Sequence, residues 1–160
     1  MGGVLIAPDK CLQHLGVALP GALATRWASE ACMKSEHVIG QAELLPVLAA
    51  LFIWADLLRA QRALVFIDND AARYGLIGGR NHSMASLPIV GEVGLHVARL
   101  GLFPWYERVP GPCNLADGPS RLQFREVESL GSVQVPVQAF DEGLSSHRGL
   151  LEWPVPLRPH

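Results

Sequence analysis

A short apolar run that ends abruptly in acids constrains this chain more than any other feature. Residues 63–67 read ALVFI, and Asp68, Asn69 and Asp70 follow directly. Such a run is typical of a central strand that is covered on both faces. The chain has 160 residues, of which 49% are apolar and 18% charged. This length is enough for one ordinary domain with a sizeable core, and this composition excludes a disordered chain.

Helices are expected on the faces of this strand. Residues 43–62 are apolar nearly all round, which predicts a buried helix. Its start is predicted near Gln41, because Pro46 is tolerated in a first turn. Residues 71–77 predict a short helix, and residues 86–100 predict an amphipathic helix that ends at Gly101.

Further strands surround the central one. The patterns before and after the turn at residues 8–10 predict a hairpin, and residues 102–109 predict another strand. Pro104 predicts that the start of this last strand lies off the hydrogen-bond ladder or at a bulge. The order of these elements predicts an α/β fold, a mixed sheet with helices on its faces.

Three acids occur where this fold would place a ligand. Glu43 begins the buried helix, Asp68 ends the apolar strand, and Asp117 lies in a loop after the last strand. Ligands gather at the carboxyl ends of strands in open α/β sheets, and carboxylate oxygens suit Mg²⁺ or Mn²⁺. Each acid also has a structural interpretation. Glu43 could complement the helix dipole, Asp68 could belong to a helix-capping turn, and Asp117 could be an ordinary turn acid.

Three segments together resemble the ribonuclease H domain of retroelement (retrotransposon) reverse transcriptases. They are residues 41–45 (QAELL), 66–72 (FIDNDAA) and 108–121 (RVPGPCNLADGPSR), in the order of that family. The resemblance covers about residues 2–122. It implies a ribonuclease H-like fold and a hydrolase that binds Mg²⁺ or Mn²⁺. The implied reaction is endonucleolytic, two-metal cleavage of the RNA strand of RNA–DNA hybrids.

The resemblance also assigns residues to this site. It implies catalytic and metal-binding roles for Glu43, Asp68 and Asp117. It implies contacts with nucleic acid for Asn69, Asn114 and Arg121. Residues 59–125 hold eight basic and five acidic residues, which favours a phosphate-binding face although the whole chain has a net charge of −2.

The leading aspartate of the family lies on a first strand that in this chain would precede Met1. The resemblance therefore implies an N-terminally truncated ribonuclease H-like domain at residues 1–125, with an upstream polymerase domain in any full-length element. Three carboxylates are expected to hold at most one ion, so hybrid cleavage is expected to be impaired. The alternative is a non-catalytic remnant of the fold that binds nucleic acid or a protein partner.

The remaining features concern the chain's end and its location. Residues 126–160 predict an extended, proline-containing tail or linker that is poorly ordered. Three cysteines favour a reducing compartment. The longest apolar run, residues 44–55, is too short to span a bilayer and is wrongly placed for a signal peptide. These features predict an intracellular protein, cytoplasmic or nuclear.

Two other groups of residues have the composition of a functional site, a zinc site and a nucleophile pair. Cys11, His14, Cys32 and His37 have spacings that resemble zinc ligands. A strand would, however, direct Cys11 and His14 to opposite faces. Cys113 with a histidine, His82 or His96, has only its residue types in favour of a nucleophile pair.

Overall fold

The computed structural model describes residues 1–9, 11–19, 21, 25, 27, 39–81, 83 and 86–137. The strands in these residues are β1 (Gly2–Ile6), β2 (Leu12–Gly16), β3 (Arg62–Ile67), β4 (Phe103–Arg108) and β5 (Val133–Gln134). The helices are α1 (Ile39–Ile53), α2 (Ala55–Leu58), α3 (Asp70–Gly78), α4 (Leu87–Leu100), α5 (Asp117–Ser120) and α6 (Arg125–Ser129). In this part of the chain no helix is both long and apolar enough to cross a membrane.

The five strands form two small sheets. β1 and β2 pair antiparallel as the predicted hairpin, and β5 pairs parallel with β2. β3 and β4 pair parallel in the second sheet, with Leu64 opposite Trp105. The predicted mixed α/β class is confirmed, but the described strands divide between two sheets instead of forming one.

Helix α1 joins both sheets to one core. Its apolar side chains are buried on several sides, as expected of a helix that is apolar nearly all round. Leu15 of β2 and Ile67 of β3 belong to the same buried cluster as this helix. The fully or almost fully buried members of the cluster in α1 are Leu44, Leu45, Leu48 and Ala49.

The bounds of α1 differ from the prediction. The helix begins at Ile39 and ends at Ile53, so Pro46 lies inside it and not in its first turn. Because proline has no N–H, the carbonyl of Ala42 lacks the usual helical donor four residues later. Glu43 likewise lies beyond the first turn, so the interpretation of Glu43 as a first-turn acid is wrong.

Strand β4 differs from the prediction at Pro104. The strand pairs in regular register, with Pro104 opposite Ala63, so no bulge is needed. The N–H of Phe103 donates to the carbonyl of Gln61, on the β3 side. Since neighbouring residues of a strand alternate in direction, the nitrogen of Pro104 points to the other edge, where no donor is required.

The folded part of the chain continues past the predicted boundary at residue 125. Val127 of α6 is almost fully buried. The side chain of Ser132 contacts buried His14 at 2.9 Å, between Oγ and Nδ1, and Val135 N–H donates to the carbonyl of His14. Residues 125–137 therefore pack on the first sheet, and the rest of the predicted tail, 138–160, lies outside the described residues.

Candidate functional site

A cavity of about 230 Å³ lies at the carboxyl end of β3. Asp68 follows this strand directly, Glu43 extends from α1, and Asp117 begins α5; all three line the cavity. Asn114, from the segment after β4, also lines it. The structure therefore brings the three predicted carboxylates and one of the predicted nucleic-acid contacts to a single concave surface.

Glu43 and Asp68 both line the cavity, and their charges interact. Burial raises the pKa of Glu43 most, and the charge of Asp68 and the hydrogen bond between the two carboxyl groups raise it further. The N-terminal ammonium group partly offsets these effects, while the charge of Asp117 adds a small increase. The resulting pKa of Glu43 is about 7, against an ordinary value of 4.5. Near neutral pH, a proton therefore offsets part of the negative charge of the pair.

Asn114 holds the carboxylate of Asp68 in place. Its Nδ2 donates to Asp68 Oδ2 at 2.9 Å. Its own Oδ1 accepts the N–H of Ala116 at 3.0 Å, which fixes the side chain from the other end. Asn114 therefore orients Asp68, in addition to its predicted position near a nucleic acid.

Asp117 is paired with Arg121 one helical turn later. Nε and Nη2 of Arg121 donate to the same oxygen of Asp117 at 3.2 and 3.1 Å. Both side chains are exposed, so the ion pair contributes little to stability. The guanidinium group nevertheless lies at the rim of the cavity, next to one of its lining acids.

Asn69 has a structural role. Its Oδ1 accepts the N–H of Ala72 at 2.9 Å and caps the N-terminus of α3. This is the capping interpretation that the sequence left open for residues 68–69. Asn69 does not line the cavity.

The carboxylates do not form a ready-made metal site. Within the described ranges, no group of three or more His, Cys, Asp or Glu side chains is arranged to hold a metal ion. Glu43 and Asp68 are in contact, whereas Asp117 is turned to Arg121. Any ion bound by all three acids would have to replace a proton at the first pair and part of an ion pair at the third.

The two competing constellations remain weak. His14 is buried against Ser132 and Phe124, while Cys11 contacts Gln13. Cys32, His37 and His82 lie outside the described residues. Cys113 is exposed, and His96 is buried beside Phe52.

Met1 also lines this cavity, which the sequence analysis did not predict, and its nitrogen contacts nearby backbone carbonyls. The α-amino group donates to the carbonyl of Val17 at 2.8 Å and approaches that of Ser120 at 3.4 Å. Burial lowers its pKa, and the charge of Glu43 acts in the opposite direction. No motif signals such a contact, because it depends on how β1 packs beside α5 and not on residue type.

Comparison of the chain with protein-family models, with curated proteins and with solved structures finds no match in any of the three. The geometry of the cavity and the chemistry of its side chains are therefore the basis for a proposal about function.

Proposed function

We propose that the chain is a ribonuclease H-like domain of retroelement origin whose cavity binds a divalent cation and acts on RNA–DNA hybrids. One observation carries this proposal. Glu43, Asp68 and Asp117, from three separate segments of the chain, line one cavity at the carboxyl end of β3, where burial and the charge of Asp68 raise the pKa of Glu43. These are the three acids that the resemblance to the ribonuclease H family assigns to catalysis.

The donor set of the cavity suits a hard divalent cation. Its lining side chains offer carboxylate oxygens, which Mg²⁺ and Mn²⁺ prefer. Burial and then the charge of Asp68 raise the pKa of Glu43, so a positive ion beside this pair would be favourable. Glu43, Asp68 and Asp117 would hold the ion, which would activate water and stabilise the leaving oxygen of a phosphodiester.

The other side chains have distinct roles in this proposal. Without a cation Glu43 titrates near neutral pH, so in that range a proton and the proposed cation would compete for its carboxylate. Asn114 keeps Asp68 oriented, so it acts as a positioning residue. Arg121 presents an exposed guanidinium group at the rim, suited to a phosphate of the nucleic acid.

The first test is metal binding. Thermal unfolding of the 160-residue chain is measured with Mg²⁺, with Mn²⁺ and without either. We expect the metal to raise the unfolding temperature, and Asp68→Asn to remove this effect. Asp70→Asn is the matched control, because Asp70 is paired with Arg73 and Arg108 and does not line the cavity. Equal metal effects in both variants would contradict the assignment.

The second test is cleavage of a labelled RNA–DNA hybrid. The resemblance implies four carboxylates, and residues 1–160 supply three of them. We therefore expect one bound ion and weak cleavage that Asp68→Asn abolishes. Arg121→Ala should weaken binding of the hybrid, measured by fluorescence anisotropy, without changing metal binding. Robust cleavage that survives Asp68→Asn would overturn the proposed site.

A second candidate function is favoured by a specific observation. Asp117 is already neutralised by Arg121, and Asn114 already satisfies Asp68. These contacts fit a non-catalytic domain that keeps the fold and binds nucleic acid or a protein. Hybrid binding without any metal-dependent stabilisation would favour this candidate over the first.

A further inference from the structure

One face of the β3–β4 sheet is apolar and open to solvent. Its large apolar side chains are between 58% and 70% exposed; they are Leu64, Phe66, Phe103 and Trp105. They share one face because side chains opposite each other in a ladder point to the same side. The other face of the same strands packs on the core. We name this surface, together with Arg62 and Glu107, the outer β face.

The size of the outer β face distinguishes it from ordinary scattered apolar residues. A fully covered aromatic side chain buries about 150–250 Å². At the observed exposures, the three aromatic rings alone offer roughly 300–500 Å² of apolar surface. Contiguous apolar patches of this size on a folded chain mark an interaction surface.

Opposite charges mark the two ends of the outer β face. Arg62 begins β3 and lies opposite Phe103, while Glu107 lies near the end of β4, opposite Phe66. The side chain of Glu107 is 50% exposed, and its carboxylate lies 3.8 Å from Arg73 of its own chain and accepts from Trp105 Nε1 at 3.5 Å. The middle row is Leu64 beside Trp105. Because β3 and β4 run parallel, the positive end and the negative end are separated along the strands.

We propose that the outer β face binds the same face of a second copy of this chain, with the strands of the two copies antiparallel. A two-fold axis across the strands, through the middle row, superposes the apolar rows of both copies. The same axis brings Arg62 of each copy to the level of Glu107 of the other. Packed sheets lie about 10 Å apart, which these two long side chains span together.

The charges distinguish this arrangement from others. With parallel strands in the two copies, Arg62 and Glu107 would lie at opposite ends and could not pair. For a single-stranded nucleic acid, the aromatic rings would suit stacking, but the half-exposed carboxylate of Glu107, only partly offset by Arg73, would face the phosphates at one end. Self-association uses both charges, and so the outer β face fits a second copy best.

The expected dimer is weak. The apolar area falls below the ~800 Å² per partner of a standard stable interface. Sedimentation equilibrium of the full 160-residue chain should therefore show an apparent mass that rises with concentration toward twice the monomer mass. Trp105→Ser should keep the chain monomeric over the same range. Leu95→Ser is the control, because Leu95 is a half-exposed leucine of α4 outside the outer β face. This variant should dimerise as the parent does.

Charge reversal tests the orientation. Arg62→Glu alone places two glutamates together, and Glu107→Arg alone places two arginines together, so each should weaken the dimer by roughly three- to tenfold. Because Glu107 also lies 3.8 Å from Arg73 of its own chain, Arg62→Glu is the cleaner single variant. The double variant restores opposite charges and should recover the affinity. Unchanged far-ultraviolet circular dichroism shows that each variant is folded.

Three results would overturn the proposal. The first is a parent chain that stays monomeric at all concentrations, whether its outer β face is free or occupied by single-stranded nucleic acid. The second is a dimer that Trp105→Ser leaves intact. The third is a double charge variant no tighter than either single one.

Discussion

Replacing Glu43 with glutamine should make the protein more stable at alkaline pH and leave it nearly unchanged in acid. Glutamine has the same shape, and its amide can donate to Asp68 as the protonated carboxyl group does. It differs only in that it never ionises. The variant therefore isolates the free energy of ionising Glu43 in its half-buried position beside Asp68.

The magnitude follows from the pKa of Glu43. In the folded state this pKa is about 7, above the ordinary value of 4.5, so the folded protein binds the proton more tightly than the unfolded chain. The stability contributed by this proton is fully present below about pH 4.5, and it is lost as the pH rises through about 7. The full difference corresponds to about 3.4 kcal/mol. Because the carboxyl group is partly open to solvent, screening reduces the expected loss to about 1–2 kcal/mol.

Urea unfolding measures this loss directly. The parent should lose about 1–2 kcal/mol of unfolding free energy between about pH 5 and about pH 8 relative to Glu43→Gln. All other titrating groups are common to both proteins, so the difference between the two pH profiles belongs to residue 43. Glu126→Gln removes an exposed carboxylate and should follow the parent. Parallel profiles for the parent and Glu43→Gln would refute the raised pKa of Glu43 in the folded protein.

Three other outcomes are expected. Stabilisation by Mn²⁺ in thermal unfolding should be larger at about pH 8 than at about pH 6, since the proton on Glu43 competes with the metal; equal shifts would contradict this. Gly2→Ala should cost about 1–3 kcal/mol in urea unfolding, because its β-carbon would overlap the backbone of Ser120. Gly3→Ala has room and should be nearly neutral, so equal losses would argue against this packing. Asn69→Ala should lower the free energy of unfolding by about 1 kcal/mol, because the cap of α3 is lost, whereas Asn69→Asp should retain most of the stability. An unchanged melting temperature of Asn69→Ala, measured by circular dichroism, would exclude a capping role.

The sequence predicts well where a local pattern decides the structure. The apolar stripe before Gly101 predicts α4 to within one residue of its bounds, and Gly101 adopts the left-handed conformation expected after a helix. The run that forms β3 is also found almost residue for residue. In both cases, side-chain periodicity and one terminating residue are sufficient, and both are visible along the chain.

Elements that depend on distant partners are harder to predict. β5 has two residues, too few for a periodic pattern, and it is held by pairing with β2 and by the contact of Ser132 with His14. Pro46 is accepted inside α1, beside the cavity, where a proline ordinarily interrupts a helix. Neither the pairing of β5 nor the position of Pro46 inside α1 can be inferred from neighbours in sequence, because both depend on packing against other segments of the chain.

The candidate site divides in the same way. The positions of Asp68 after a strand and of Asp117 at a turn are local facts, and they place both acids near the same edge of the fold. The proton that Glu43 shares with Asp68, and the ion pair that occupies Asp117, arise only when α1, β3 and α5 meet. The sequence therefore predicts the three acids and Asn114 among the residues that line the cavity, while the charge state of these acids requires the folded structure.

The charge state of Glu43 links the stability of the protein to binding of the proposed cation. Ionisation of Glu43 beside Asp68 costs free energy in the folded protein, and the cost grows as the pH rises through about 7. A divalent cation between these carboxylates would offset the same repulsion. Its binding would therefore restore the folding stability that is lost when Glu43 ionises. We therefore expect a proton to occupy the cavity in acid and the proposed cation to bind better above about pH 7.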